Sequence, residues 1–282
     1  MRVLITGAGG QLGRALTGSL RGHEVTTLRH AELDITDRYA VALAMEATSP
    51  EIVVNAAAYN DVDRAETRIE TAEAINALGP RILAEVSAAR NIAIVHVSTD
   101  YVFDGTAGRP YHEHDRPNPL SAYARSKRAG EVAVMEANPR HYVVRTAWLF
   151  EASGKNFLNT MRVLAKRPEV QVVADQFGSP TYAPQLARAI ASLIEDASFG
   201  IYHLAGRGGT SRYDLVRELY ALLGVDVKVV GVSHDAFPAA AVRPLNTILT
   251  TIRHPAPVMP TWQEGVREFV ADLHNQELKG SI

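Results

Sequence analysis

Residues 2–16, "RVLITGAGGQLGRAL", decide how this chain folds. Positions 2–6 are mostly apolar and partly β-branched, the pattern of a buried strand. Gly7, Gly10 and Gly13 follow at intervals of three. From residue 11 the stretch reads as a helix. Strand, glycine turn and helix in that order open a dinucleotide-binding βαβ unit. Gly7 permits the turn out of the strand, Gly10 lets a pyrophosphate approach the backbone, and Gly13 lets the helix pack closely on the sheet. The free amides at the helix start then face the phosphates.

The same alternation continues outward. Apolar runs at 24–28, 51–55, 92–98, 142–147 and 170–174 read as strands. Stretches 11–20, 36–48, 71–89, 121–137 and 182–197 read as helices, with Pro80 expected to kink or divide the third. Strands separated by helices predict an α/β protein with a Rossmann-type, doubly wound parallel sheet. Residues 103–120 are rich in Gly, Pro and Asp and predict a long functional loop. Beyond about 150 the rhythm becomes irregular. The expected division is a dinucleotide-binding domain over 1–150 and a smaller C-terminal substrate-binding lobe over 151–282. Segments near 183–205 are expected to return to the first domain.

Composition narrows the function. The 282 residues carry a net charge of −2, so there is no basic footprint for nucleic acid or an anionic membrane surface. No apolar run is long enough to span a bilayer. The opening "MRVLITGAGG" lacks the pattern of a secretory signal. There is no cysteine, which excludes disulfides, thiolate metal sites and a cysteine nucleophile. The expectation is a cytoplasmic protein, monomer or homodimer, acting on a small molecule, with no metal.

"SAYARSKRAGE" (121–131) places Tyr123 and Lys127 one turn apart on a helix. Only five of the 29 basic residues are lysines, which makes the spacing uncommon, and its position after a strand and a long loop gives it weight. An ammonium at about 5 Å and an effective dielectric of 20 would stabilise a phenolate by about 3 kcal/mol, or about two pKa units. The expectation is therefore that Lys127 lowers the pKa of Tyr123 and makes it a general acid. The strand 92–98 ends in Ser98, followed by Thr99, where a hydroxyl can bond a carbonyl as it becomes an alkoxide. Asn76 in "AINALG" is a further candidate.

The spacing G-x-x-G-x-x-G resembles the extended branch of the short-chain dehydrogenase/reductase superfamily. The second strand ends "TTLRH", with no acid for a ribose 2′-hydroxyl. Arg29 there suits a 2′-phosphate, so the expected cofactor is NADPH, with NADH possible. The resemblance places Asp34 and Ile35 against the adenine. "NAAAYNDVDRAE", "STDYVFDG", "NPLSAYARSKRAGE", "RTAWLF", "DQFGSPTY", "YHLAGRGGTSRYDL" and "RPLNT" occur in the order found in dTDP-4-dehydrorhamnose reductases. That family reduces the 4-keto group of dTDP-4-dehydro-L-rhamnose in dTDP-rhamnose biosynthesis.

The resemblance implies a role for each matching position. Gly10, Gln11 and Leu12 would meet the pyrophosphate, and Ala58, Tyr59 and Asn60 would line the cofactor cleft. Thr99, Tyr123 and Lys127 would be the catalytic set. Val62, Thr99, Asp100 and Trp148 would face the sugar, and Arg243 the diphosphate. The chain departs from the family's pattern at Asn60 and Asp61. It departs again at Ala15, where some members have a glutamate in a magnesium-linked dimer, and at Thr250 and Thr251 of "NTILTTIRH". Two other readings stay open. One is a different nucleotide-sugar reductase or epimerase. A 4,6-dehydratase is disfavoured, because Tyr101 stands where its glutamate base would be. The other is a non-catalytic NADP-binding subunit like the regulatory subunit of methionine adenosyltransferase.

Overall fold

The computed structural model describes residues 1–280. The opening run forms strand β1 (Arg2–Thr6), with Val3 through Thr6 all buried. Both faces of this strand are covered. Val3 and Ile5 join one apolar cluster and Leu4 joins another. That two-sided burial is why the run is continuously apolar rather than alternating.

Five more strands complete a parallel sheet: β2 (Glu24–Leu28), β3 (Ile52–Asn55), β4 (Ala93–Thr99), β5 (His141–Thr146) and β7 (Gly200–His203). Their spatial order is β7-β5-β4-β3-β1-β2. All five pairings are parallel, with Thr6 level with Asn55 and Thr99 level with Thr146. The order reverses between β1 and β3, which makes their carboxyl ends the topological switch point where such sheets bind ligands. Helices α1 (Gln11–Ser19) and α8 (Ala183–Asp196) supply residues to one face of the core, including Leu12, Leu16, Leu186 and Ile190. Helices α2 (Arg38–Thr48), α5 (Gly79–Ala88) and α6 (Ala122–Ala137) cover the other.

The 170–174 run departs from the sequence expectation. It forms β6 (Glu169–Val173), but this strand pairs with β8 (Lys228–Val232) in a separate two-stranded ribbon. Its burial alternates, with Val170 and Val172 inward, so only one face meets a core. The sixth place in the main sheet belongs to β7, whose "GIYH" has too few apolar residues to signal a strand.

Pro80 follows a change of helical type within one continuous helical run. Short helices α3 (Val62–Ala65) and α4 (Ile69–Glu73) lead into a wide π-helical turn, Ala74–Leu78, after which α5 begins. Proline has no amide to donate and its ring crowds the carbonyl four residues back. Widening the turn before it relieves both problems.

A second core lies beyond β5. Helices α7 (Phe157–Leu164), α9 (Arg212–Leu223) and α10 (Trp262–Gly280) close over the ribbon of β6 and β8. Leu158, Val170, Val172, Leu215, Leu219, Val266 and Phe269 fill it. Among the described residues, no helix is long and apolar enough to cross a membrane.

Candidate active site

The glycine loop makes the first wall. Gly7 has φ of +71°, and a Cβ there would lie 2.5 Å from the amide nitrogen of Ala57 in the loop after β3. A Cβ on Gly13 would lie 2.4 Å from the carbonyl of Gly7. Both contacts require glycine, and together they bring the start of α1 against the switch point. Gly10 is the N-cap of α1 and is exposed, and no side chain caps the helix. Its leading amides therefore remain available to an anion.

The second wall is α6. Ser121 caps it by accepting from the amide of Ala124 at 3.2 Å, and Glu66 accepts from the amide of Ala122 at 2.8 Å. Tyr123 and Lys127 are both buried. Behind them, Asn76 Oδ1 accepts from the amide of Tyr59 at 2.8 Å, and Nδ2 donates to the Tyr59 carbonyl and to Ser126 Oγ, both at 3.0 Å. Asn76 is therefore spent on joining the loop after β3 to α6. It holds the site rather than facing it.

The third wall is the end of β4. Thr99 accepts from the amide of Tyr101 at 3.2 Å and donates to Asp100 Oδ1 at 3.2 Å. Asp100 is buried and also accepts from the Thr247 hydroxyl. Burial pushes its carboxyl up to about 6.

These walls enclose a cleft of about 350 Å³. Of the residues singled out in the sequence, Gly10, Gln11, Leu12, Ala58, Asn60, Val62, Thr99, Asp100, Tyr123, Lys127 and Trp148 all line it. Gly7 and Gly13 shape the loop from behind. Tyr59 holds Asn76. Arg29 is exposed beside Gly9, and Asp34 is exposed with its carboxylate accepting from the Thr36 amide at 2.9 Å. Ile35 is buried against Gly79. These three stand on the β2 side of the glycine loop, outside the cleft.

The expected effect of Lys127 on Tyr123 is not what the structure holds. Burial raises the phenol above its ordinary value, with the nearby Thr99 hydroxyl opposing and the charge of Asp100 adding to the rise. Burial likewise pushes Lys127 down to about 8, against the pull of Glu131. Loss of water costs the charged forms more than the spacing estimate allowed. Lys127 also directs its ammonium to the carbonyl of Val97, at 2.7 Å.

Trp148 has φ of +44°, an outlier for a bulky residue. Its indole packs so tightly on Gly178 that a Cβ there would lie 2.5 Å away. Backbone strain of this kind is found where a side chain must be aimed. The guanidinium of Arg212 lies 4.2 Å above the indole and 5.1 Å from the ring of Phe157. Sequence reading passed over Arg212. The only signal was a basic residue opening α9, where the helix dipole disfavours positive charge.

A larger cavity of about 890 Å³ adjoins the cleft beside the second core. Its walls include Phe157, Met161, Gln176, Phe237 and Arg243. Arg243 already has a carboxylate partner, donating to Asp63 at 3.0 and 2.6 Å. The departures from the family's pattern also find local partners. Asp61 caps α3, and Ala15 packs on the core. Thr251 donates to buried Glu113 at 2.5 Å, and the Thr250 amide donates to the Tyr111 carbonyl at 2.8 Å.

The polar groups at the glycine-loop wall suit the pyrophosphate and adjoining ribose of a dinucleotide. Open amides stand at the start of α1, and Gln11 Oε1 and Thr146 Oγ1 are buried without a protein partner at its wall. Buried polar atoms of this kind call for a bound group.

Comparison with known proteins agrees with this geometry. The family described as the RmlD substrate binding domain matches residues 1–275. A dTDP-4-dehydrorhamnose reductase of Mycolicibacterium smegmatis is 41% identical, covering 100% of this chain and 88% of its own. A dTDP-4-keto-6-deoxy-D-glucose reductase of Streptomyces niveus is 42% identical over 88% of each chain. The crystal structure of a dTDP-4-dehydrorhamnose reductase from Bacillus anthracis, in complex with NADP, superposes with a TM-score of 0.93. It is 37% identical and covers 96% of this chain and 99% of its own.

Proposed function

The chain belongs to the RmlD substrate binding domain family, and from that premise we propose that it is an NADPH-dependent oxidoreductase. Its reaction is reduction of the 4-keto group of a dTDP-linked 6-deoxy sugar, with dTDP-4-dehydro-L-rhamnose as the best fit. One observation supports this most strongly: Thr99, Tyr123 and Lys127 share a single cleft with the glycine loop.

Bound in this cleft, NADPH supplies the hydride. Gly10, Gln11 and Leu12 hold the pyrophosphate at the start of α1, and Ala58 and Asn60 flank it. Arg29 receives the 2′-phosphate at the outer end, beside Asp34 and Ile35. The sugar sits between Val62, Asp100 and Trp148, whose indole offers a face to its C–H groups. Thr99 and Tyr123 hold the 4-keto oxygen, and Tyr123 gives it a proton. A phenol with a raised pKa keeps that proton in the resting site. The oxygen becomes a strong base as the carbonyl is reduced, and it takes the Tyr123 proton as that charge develops. Lys127 contributes its charge from below, fixed by Val97. The nucleoside occupies the larger cavity of the C-terminal lobe.

The test is NADPH oxidation with a panel of nucleotide-linked 4-keto-6-deoxy sugars, with product stereochemistry read by NMR. Oxidation with the dTDP-linked rhamnose precursor, giving the 4-hydroxy product, is expected. No oxidation with any member of the panel overturns the catalytic reading.

A further inference from the structure

Among the described residues, Arg212 is the one residue that lines both the catalytic cleft and the larger cavity. A nucleotide sugar with its sugar at Thr99 and its nucleoside in the larger cavity must pass this residue. The segment that passes is the diphosphate. We propose that Arg212 is the residue that recognises the diphosphate and sets specificity for it. This rests on the nucleotide-sugar reading above and adds a residue to it.

The charges of the larger cavity point the same way. Three basic side chains line it: Arg212, Arg243 and His234. Arg243 is neutralised by its bidentate pair with Asp63. His234 lies 2.9 Å from Asp175 and 3.4 Å from Asp235. Among the described residues, no carboxylate makes an ion pair with Arg212. Its Nε donates to the neutral amide oxygen of Gln176 at 3.3 Å, and the guanidinium also meets the Tyr101 hydroxyl and the field of Asp100 without a direct ion pair. An unpaired cation facing a cavity is available to a ligand anion, whereas Arg243 would first have to leave Asp63.

The geometry also prepares the guanidinium. Stacking over Trp148 and Phe157 fixes its plane, and its N–H edge meets only the neutral groups of Gln176 and Tyr101. A planar fork presented edge-on suits two phosphate oxygens at once. The same stack ties Arg212 to the indole that faces the sugar. Diphosphate capture and sugar placement then share one rigid element. The cost of a positive charge at the first turn of α9 is explained by this role.

The experiment compares binding of dTDP, dTMP and thymidine to wild type, Arg212→Gln and Arg212→Lys, with NADPH binding measured on each. In wild type, dTDP should bind more tightly than thymidine. Arg212→Gln should weaken dTDP by about 10- to 100-fold and thymidine by little, since a charge-assisted bidentate contact is lost. Arg212→Lys keeps the charge without the fork and should fall between. The affinity for NADPH should stay within about threefold, since the proposal gives Arg212 to the sugar nucleotide and the glycine loop to the cofactor, and this also shows that the variants fold. With the keto sugar as substrate, KM should rise far more than kcat falls. Retention of the wild-type ratio of dTDP to thymidine affinity in both variants overturns the assignment while leaving the nucleotide-sugar reading intact. A wild-type protein that binds dTDP no better than thymidine overturns that reading and this assignment together.

Discussion

Lys127 donates to the carbonyl of Val97 at 2.7 Å, so its ammonium is fastened to strand β4 at the wall of the catalytic cleft. The bond sets the ammonium two residues before Thr99 on the same strand. The chain thus positions the Lys127 ammonium against the sheet, while burial favours the protonated phenol of Tyr123. The pair acts as a placed charge and a held proton rather than as a lysine that ionises a tyrosine in advance.

A pH dependence follows for the cation. Burial puts the Lys127 ammonium near 8 in the free protein. Its charge is therefore present below about pH 8 and lost as pH rises through that value. kcat/KM should fall on the alkaline side with an apparent pKa near 8. A profile flat from pH 7 to 10 would show that the charge of Lys127 is not needed.

Glu131 is fully buried and accepts two bonds from Arg145, both at 2.8 Å, with Arg128 adding a third at 2.8 Å. Arg145 is itself 1% exposed, so removing the carboxylate strands a buried cation. Glu131→Gln should destabilise the fold by about 3–5 kcal/mol. Chemical denaturation measures this, and a loss below about 1 kcal/mol would mean that water reaches Arg145.

Asp100 carries the opposite cost. Its carboxyl is raised to about 6 by burial, from 3.8 when free. The folded state therefore holds the protonated form better. Stability from this group is greatest below the unfolded value and declines as pH climbs through the folded one. Asp100→Asn should stabilise the protein at pH 7–8 by up to about 3 kcal/mol while lowering turnover. Equal melting temperatures for the two proteins at pH 8 would reject the cost assigned to this carboxylate.

Arg29 tests the cofactor end. It is exposed beside the glycine loop, and the proposed function gives it the 2′-phosphate. Arg29→Asp should lower kcat/KM for NADPH by about tenfold or more and shift preference toward NADH. An unchanged ratio of the two cofactors would remove the residue from that role.

The sequence showed most of the sheet because β1, β3, β4 and β5 are buried on both faces and therefore largely apolar. It misled at 170–174, where an equally apolar run belongs to a ribbon with one buried face. It missed Gly200–His203, whose place is set by pairing with β5 rather than by its own composition. The cleft was legible where a motif fixes the spacing, as at Gly10, Thr99, Tyr123 and Lys127. Arg212 was not, because its meaning comes from the stack on Trp148 and Phe157, residues far away in sequence. The pKa of Tyr123 was misjudged for a related reason. Spacing along a helix gives the distance between charges but not the loss of water around them.

The central claim is that Tyr123 delivers the proton to the sugar oxygen within this cleft. Single-turnover oxidation of bound NADPH by the dTDP-linked 4-keto sugar, in wild type and in Tyr123→Phe, tests it most directly. The account predicts a rate at least about 100-fold lower in the variant, with NADPH affinity within about threefold of wild type. A variant that oxidises NADPH at the wild-type rate would contradict it.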